Sequence, residues 1–205
     1  LYPNLNTLKG ADIARAFSDN TLPQAVVNRS TEKAVGLYTT ADKWAPMTNE
    51  QLQQAAECNI AGQVEINKET RLAKITVEVY YTQDSDAETN LLTIAMTQDS
   101  VWGPQVNGES NPSQYLNGKY CHMHTLRDII TPTWGDEIGP TTEGTLITKT
   151  YTYQIPEIIG DPNGVEVNLN HIDFIAFVSN SFIEMASLPI LNVCDMPILV
   201  GTQET

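Results

Sequence analysis

The sequence has 205 residues, which suits one large domain or two small ones. Hydrophobic residues make up 41% of the chain, enough to form a substantial core. Eleven basic residues stand against 25 acidic ones, and the net charge of −14 argues against nucleic acid or an anionic membrane surface as a partner. No apolar run approaches the roughly 20 residues that cross a bilayer, and the first residues do not form a signal peptide. We expect Leu1 to be an internal starting point, produced by truncation or processing.

The first 59 residues alternate between helix and strand patterns. The stretch LNTLKGADIARAFSDN has apolar residues at helical spacing and ends at Asp19-Asn20. LPQAVVNRS follows as a short predicted strand introduced by Pro23. MTNEQLQQAAEC predicts a second helix, in which Thr48 is the N-cap and Gln51 completes a capping box. These patterns predict a small α/β segment ahead of the main domain.

From residue 60 onward the pattern is that of strands. QVEIN and RLAKITVEVYYTQ predict a hairpin around Lys68-Glu69-Thr70, and alternate residues from Ile75 to Tyr81 fall on one face. HIDFIAFVSN is apolar on both faces, as in a central strand, and the prolines in SLPILNVCDMPILV favour an edge or a bulge. Two further strands, NLLTIAMTQDSVW and GTLITKTYTYQIP, flank a long irregular stretch at about 103–144. The fold predicted is α+β and mainly β: an antiparallel β-sandwich, Ig-like or jelly-roll-like, with a barrel as the alternative.

Three motifs in this region carry a family resemblance: SVWGPQVNG, KYCHMHTLRDIITPTWGDEIG and LNHIDFIAFVSNSF. The pattern His-x-His-x-x-Arg followed by Trp-Gly falls on His122, His124, Arg127, Trp134 and Gly135. Together, over most of residues 62–200, they resemble the twenty-eight-kilodalton outer-membrane protein family of Bacteroides-type bacteria. The resemblance implies an envelope protein at the outer membrane, cell surface or periplasm. Its expected role is binding, adhesion or structure, with a protein or glycan partner at the cell surface and membrane association only through an upstream lipid anchor.

In that family such a β-domain often follows a thioredoxin-like domain. TLPQAVVNRS is similar to the cis-proline strand of that fold, which makes Pro23 the candidate cis-proline. The resemblance therefore implies that residues 1–59 are the C-terminal part of a thioredoxin-like domain and residues 60–205 the β-sandwich domain. No CxxC is present, so we expect no catalysis and no cofactor. The alternative is an accessory domain of a thioredoxin-like redox lipoprotein whose active-site half is missing from this chain.

The motif around His122 and His124 has two interpretations. Two imidazoles at i and i+2 on a strand could face one metal ion, with nearby carboxylates from Asp128, Asp136 and Glu137. The rival interpretation is structural: the Arg127 guanidinium ties backbone carbonyls together, and Trp134-Gly135 anchors the loop on the sheet. No complete ligand set has a recognised spacing, so we predict a self-packed segment without a bound metal.

Other candidates are weaker. Asp84 and Asp86 alternate with neutral residues and could attract a hard cation, although a solvated hairpin tip is the simpler interpretation. Cys58, Cys121 and Cys194 lie far apart, and each is expected to be a small buried hydrophobe, with a disulfide between two of them left open.

Two aromatic residues, one just before the irregular stretch and one within it, allow another kind of site. Trp102 and Tyr115 could form a platform on which a sugar stacks. Aromatic residues in a long loop more often pack against their own sheet, so packing is the favoured interpretation. Cys121 beside His122 is poorly placed to act as a nucleophile with its base, because neighbouring side chains point apart in an extended segment.

Overall fold

The computed structural model describes residues 3–17, 23–29, 40–106, 108–181 and 189–200. Within these ranges the chain is mainly β, with two helices near its start. The helices are α1 (Leu8–Phe17) and α2 (Ala41–Gln51). The strands are β1 (Cys58–Asn67), β2 (Leu72–Tyr81), β3 (Asn90–Gln98), β4 (Val101–Gly103), β5 (Tyr115–Leu116), β6 (Lys119–His122), β7 (Thr125–Ile129), β8 (Asp136–Ile138), β9 (Leu146–Gln154), β10 (Ile158–Ile159), β11 (Val165–Glu166), β12 (Ile172–Asn180), β13 (Ile190–Met196) and β14 (Ile198–Val200).

Two sheets share the hydrophobic core. One has the strand order β14-β1-β2-β9, and the other has the order β13-β12-β3-β7, with β8 also paired to β3. Side chains from both sheets join one apolar cluster, which includes Val64, Ile75, Val77, Ile94, Met96, Phe174 and Ala176. The predicted fold class, α+β and mainly β with a sandwich-like arrangement, is confirmed.

The first sheet follows from the alternation in its sequence. In β2 the residues Ile75, Val77, Val79 and Tyr81 are at most 1% exposed, so the predicted inward face is confirmed. The predicted hairpin turn is also present, and the side-chain oxygen of Asn67 accepts hydrogen bonds from the next backbone N–H groups of the turn. An Asn at this place stabilises the turn locally, because it satisfies backbone donors that the strands leave unpaired.

The central strand β3 of the second sheet is buried on both faces. Strand β3 pairs with β12 on one side and with β7 and β8 on the other, and every residue in it is at least partly buried. Strand β12 lies between β13 and β3, so its predicted central position is confirmed. Strands β13 and β14 lie at the edges of the two sheets, as Pro189 and Pro197 predict.

The prediction of a long irregular loop at about 103–144 is wrong. This stretch contains β5, β6, β7 and β8, and the last two belong to the second sheet. Each of these strands has two to five residues. An alternating pattern cannot be recognised over so few positions, which explains why the sequence did not reveal them.

The two helices agree only partly with the sequence. Helix α1 lies within the predicted stretch, and it packs against β7. Helix α2 begins at Ala41 and continues through Pro46, so the prediction of a start with Thr48 as its N-cap is wrong. The Thr48 hydroxyl instead donates to the carbonyl of Trp44, one turn earlier, at 2.8 Å. Neither described helix is long and apolar enough to cross a membrane.

The predicted strand at LPQAVVNRS is largely replaced by a turn. Within residues 23–29 there is an isolated bridge at Ala25, followed by Asn28 and Arg29 with φ values of 53° and 51°. Two consecutive left-handed residues cannot continue a strand. The Leu22–Pro23 bond includes a residue outside the described ranges, so the cis form of Pro23 stays a prediction.

Candidate functional site, a cleft beside Trp102

A small three-stranded sheet with the order β4-β6-β5 presents Trp102 to solvent. Asn117 and Gly118 connect β5 to β6, and their φ values of 51° and 77° suit the tight hairpin turns that Asn-Gly favours. In β4 the residues on either side of Trp102 are buried, whereas Trp102 is 43% exposed. The alternation of the strand therefore points a large aromatic side chain away from the core.

Trp102 lines an open cleft of about 600 Å³. Other residues that line it are Pro3, Asn117, Lys119, Asn163 and Val165. This volume lies within the range of roughly 300–1,000 Å³ that is typical of small-molecule sites. Among the described residues, the side chains of Asn117, Lys119 and Asn163 have no hydrogen-bond or ion-pair partner, so their polar groups are available to a ligand.

The segment before α1 forms one wall of the cleft. The backbone N–H of Asn4 donates to the carbonyl of Asn163 at 2.8 Å, and the Asn4 side chain donates to the carbonyl of Asp161 at 3.0 Å. Gly160 has a φ of 106°, and a Cβ at this position would lie 2.3 Å from the Asn4 carbonyl oxygen. Only glycine permits this close approach, so the start of the described chain is held against the 161–164 turn.

Arg127 holds the β10–β11 hairpin, which forms another wall of the cleft. It lies on β7, is 1% exposed, and donates from Nη2 to the carbonyl of Val165 at 2.7 Å and more weakly to that of Ile159 at 3.4 Å. Those carbonyls belong to β11 and β10, the hairpin whose turn carries Asn163 to the cleft. The hydrogen bonds to backbone carbonyls predicted for Arg127 are confirmed. Burial lowers the pKa of the guanidinium, because the charged form loses contact with water.

His122 and His124 have different surroundings. His122 ends β6, is half-buried, and packs edge-to-face against Tyr120 with ring centroids 5.1 Å apart. His124 has a φ of 51° and a side chain that is 78% exposed, and its backbone N–H donates to Asp99 at 2.6 Å. The two imidazoles therefore do not share one strand, the arrangement on which the metal interpretation depended. No three His, Cys, Asp or Glu side chains in the described ranges are grouped as a metal site requires.

Trp134 and Gly135 hold the chain against β3. Gly135 has a φ of 99°, and a Cβ there would lie 2.9 Å from the Leu92 carbonyl oxygen and 2.9 Å from the Thr93 hydroxyl. The Trp134 ring, which is partly buried, meets Phe17 of α1 edge-to-face at 5.8 Å. The Trp-Gly pair thus connects the turn to the sheet on one side and to α1 on the other.

Arg29 completes an aromatic cluster around Trp134. Its guanidinium carbon lies 5.4 Å from the ring centre of Phe17, 6.0 Å from that of Trp134 and 5.2 Å from that of Phe177. Arg29 is 8% exposed, and burial lowers the pKa of its guanidinium. Because Phe177 belongs to β12, cation–π contacts join the N-terminal segment to the second sheet.

Acidic residues of the motif region pair with other side chains of the same protein. The Tyr153 hydroxyl donates to Asp128 at 2.8 Å, and the Lys9 ammonium lies 3.8 Å from the same carboxylate. Burial raises the pKa of Tyr153, and the Asp128 carboxylate raises it further. Burial and then the Asp136 carboxylate likewise raise the pKa of Tyr151. These pairs place tyrosines of β9 against carboxylates of β7 and β8, where the two sheets meet.

The other sequence candidates lie apart from the cleft. Asp84 and Asp86 are exposed, and Asp84 accepts a hydrogen bond from the backbone of Glu143 at 2.8 Å. Tyr115 packs on its own loop, since a Cβ on Gly108 would lie 3.0 Å from the Tyr115 ring. The two-residue sugar platform is therefore wrong for Tyr115, and Trp102 lines the cleft without it.

All three cysteines are free thiols. Cys58 is fully buried, and burial together with the charge of Glu57 raises its pKa to about 11. Burial also raises the pKa of Cys194. Cys121 is half-buried beside Trp102 in the register of β4 and β6. The expectation of full burial therefore holds for Cys58 alone.

Comparison with known proteins adds the family. A family model, outer membrane protein Omp28, matches residues 11–198. The chain belongs to the Omp28 family. The resemblance inferred from the motifs is thereby confirmed, and family membership assigns the protein to the cell envelope, at the outer membrane or cell surface.

Solved structures of proteins from Porphyromonas gingivalis are similar to this one. HBP35 of Porphyromonas gingivalis matches with a TM-score of 0.64 and 16% identity, over 96% of this chain and 60% of that one. A domain of the outer membrane lipoprotein Omp28 from Porphyromonas gingivalis matches with a TM-score of 0.42 and 14% identity, over 70% of this chain and 98% of that one. This chain therefore spans about 60% of the length of HBP35. A comparison with curated protein sequences gave no match.

The sequence indicates Trp102 as a candidate binding residue but does not reveal the cleft around it. Asn117-Gly118 and Asn163-Gly164 are recognisable turn signals, yet nothing local in the sequence indicates that both turns meet Trp102 and Pro3. Nor does the sequence indicate Arg29, because its aromatic partners come from three separate segments of the chain.

Proposed function

We propose that this envelope protein is a binding protein without catalytic activity, and that the cleft beside Trp102 receives its ligand. The observation that supports this most directly is the exposure of Trp102 at 43% in a preformed concave site. A large aromatic surface costs free energy when it faces water, and binding a ligand removes that cost. The polar groups of Asn117, Lys119 and Asn163, which have no side-chain partner within the part of the chain that the structure describes, then supply orientation and specificity.

The chemistry of the lining favours binding over catalysis. Among the described residues that line the cleft, Lys119 is the one titratable side chain, and it is exposed. Catalysis usually requires an acid, a base or an activated nucleophile with a neighbouring partner, and the described lining offers no such pair. The thiols of Cys58 and Cys194 have raised pKa values, the opposite of an activated redox thiol.

The cell envelope sets the class of partner. At the outer membrane or cell surface a protein meets glycans and other envelope proteins, so the proposed partner is one of these. Nucleic acid is disfavoured by the net charge of −14. Membrane association, on this proposal, requires an upstream lipid anchor, if one is present.

The site can be tested before its ligand is identified. Protein labelled with 5-fluorotryptophan has three fluorine resonances, from Trp44, Trp102 and Trp134. We expect at least one of three probe sets (neutral oligosaccharides, acidic oligosaccharides and proline-rich decapeptides) to shift the Trp102 resonance and leave the other two in place. If no probe set shifts the Trp102 resonance, or if bound probes shift only Trp44 or Trp134, the proposed site is wrong.

The proposed lack of redox catalysis has its own test. Purified protein should reduce insulin disulfides no faster than a blank with the same thiol concentration. A rate clearly above that blank would show that one of the three thiols is catalytically active.

A further inference from the structure

We propose that the ligand of the Trp102 cleft is a neutral oligosaccharide whose pyranose rings have equatorial substituents, as in β-1,4-linked glucose. The inference rests on the proposed binding function and names its ligand class. The first reason is the shape of the aromatic surface. Such a sugar ring has axial C–H groups on both faces, and these pack on the electron-rich face of an indole. Gly103, Pro104 and Gly118 beside Trp102 are compact or lack a side chain, which leaves room for a flat ring.

The second reason is the set of polar groups around the indole. The amides of Asn117 and Asn163 each have donors and an acceptor, and the Lys119 ammonium has three donors. Because none of these side chains has a partner among the described residues, each can bond a hydroxyl without breaking an existing contact. Hydroxyls of a stacked sugar project sideways from the ring, towards groups placed on the rim.

The third reason is charge. The chain has a net charge of −14, and Lys119 is the one charged residue in the described lining of the cleft. A polyanionic glycan would be repelled by the surrounding surface and would find a single cation. A neutral oligosaccharide avoids that repulsion and still uses the Lys119 donors.

Peptide ligands fit the same cleft less well. Addition of a peptide strand requires a sheet edge with several free backbone groups, and β4 and β5 have three and two residues. Proline-rich peptides need a groove with several aromatic side chains, and Trp102 is the one aromatic residue in the described lining.

The test is calorimetry on the purified protein with cellotetraose, and with β-1,4-mannotetraose as the epimer that has an axial hydroxyl on each ring. We expect cellotetraose to bind more tightly than mannotetraose. Trp102→Ala should weaken cellotetraose binding at least tenfold, and Asn117→Ala or Asn163→Ala should weaken it several-fold. Leu116→Ala is the matched control, because Leu116 is an exposed apolar residue of the same small sheet that does not line the cleft.

The outcomes separate the ligand class from the site. If a proline-rich decapeptide or an acidic oligosaccharide binds in a Trp102-dependent way and cellotetraose does not, the inference is overturned and the proposed binding function stands. If the binding of no probe depends on Trp102, the inferred ligand class and the proposed binding site are both overturned. Loss of cellotetraose binding in Leu116→Ala equal to that in Trp102→Ala would also overturn the inference, because binding would not depend on the cleft.

Discussion

Trp102 and Trp134 show two different uses of the same side chain within one short part of the chain. Trp134 is partly buried, and its ring contacts Phe17 and the Arg29 guanidinium. Trp102 is 43% exposed, and it has no aromatic or cation–π partner among the described residues. Trp134 belongs to the motif of His122, His124, Arg127 and Gly135, whereas Trp102 belongs to a separate motif, SVWGPQVNG. Two motifs of one family thus hold tryptophans in different roles: Trp134 packs within the protein, whereas Trp102 faces the cleft.

The same division holds for the other motif residues. Arg127 bonds carbonyls of the hairpin that forms one side of the cleft, and Gly135 allows the chain to approach β3 closely. His122 packs near Gly103, since a Cβ there would lie 3.4 Å from the His122 ring nitrogen. Arg127 and His122 contact residues that line the cleft, whereas Gly135 contacts β3, and none of the three is part of the described lining.

The largest expected effect is that of Arg127→Ala. It removes the side-chain donor from two partly buried carbonyls and leaves a cavity where the buried Arg127 side chain was, so we expect the free energy of unfolding to fall by about 3 kcal/mol. Denaturant unfolding measures this value. Arg15→Ala is the control, because Arg15 is largely exposed and its removal should cost little. A loss below about 0.5 kcal/mol for Arg127→Ala would mean that Arg127 does not hold the hairpin.

The next effect is that of Gly135→Ala. The new Cβ meets the Leu92 carbonyl at 2.9 Å and forces an L-residue to adopt a φ of 99°, so we expect a loss of about 2 kcal/mol. Gly118→Ala separates the two causes, because Gly118 has a φ of 77° and no atom within 4 Å of its Cβ position. Equal losses in the two variants would show that contact with β3 contributes nothing.

A third effect depends on pH. Burial raises the pKa of the Cys58 thiol to about 11 from its ordinary value of 9.0, which is the value expected in the unfolded chain. The stabilisation is fully present below the unfolded pKa and is lost as the pH rises through 11. Between pH 8 and 11, we expect the difference in unfolding free energy between wild type and Cys58→Ala to fall by roughly 2 kcal/mol.

Val79→Ala is the control for that experiment, because Val79 is buried and does not ionise. Its difference from wild type should stay constant with pH. A constant difference for Cys58→Ala as well would show that Cys58 is not held neutral by the fold.

Much of the sheet structure could be predicted from the sequence, and the cleft could not. In β2 the alternation of apolar residues predicts which side chains face the core, because a strand places successive residues on opposite faces. Pro189 and Pro197 predict edge strands because proline cannot donate a ladder hydrogen bond. The cleft combines Pro3, Trp102 and Asn163. Local sequence patterns do not predict which distant segments lie together, so the site is visible only in the three-dimensional structure.

The smallest expected effect on stability is that of Trp102→Ala. Its comparison with Trp134→Ala tests most directly the claim that Trp134 stabilises the fold, whereas Trp102 is exposed for binding. The measurement is the free energy of unfolding of both variants in denaturant. We expect Trp134→Ala to lose about 2 kcal/mol, because it removes contacts with Phe17 and Arg29. Trp102→Ala should lose less than about 1 kcal/mol, as is usual for a surface residue. If Trp102→Ala costs as much as Trp134→Ala, then Trp102 is a packing residue, and the cleft is not a binding site built around it.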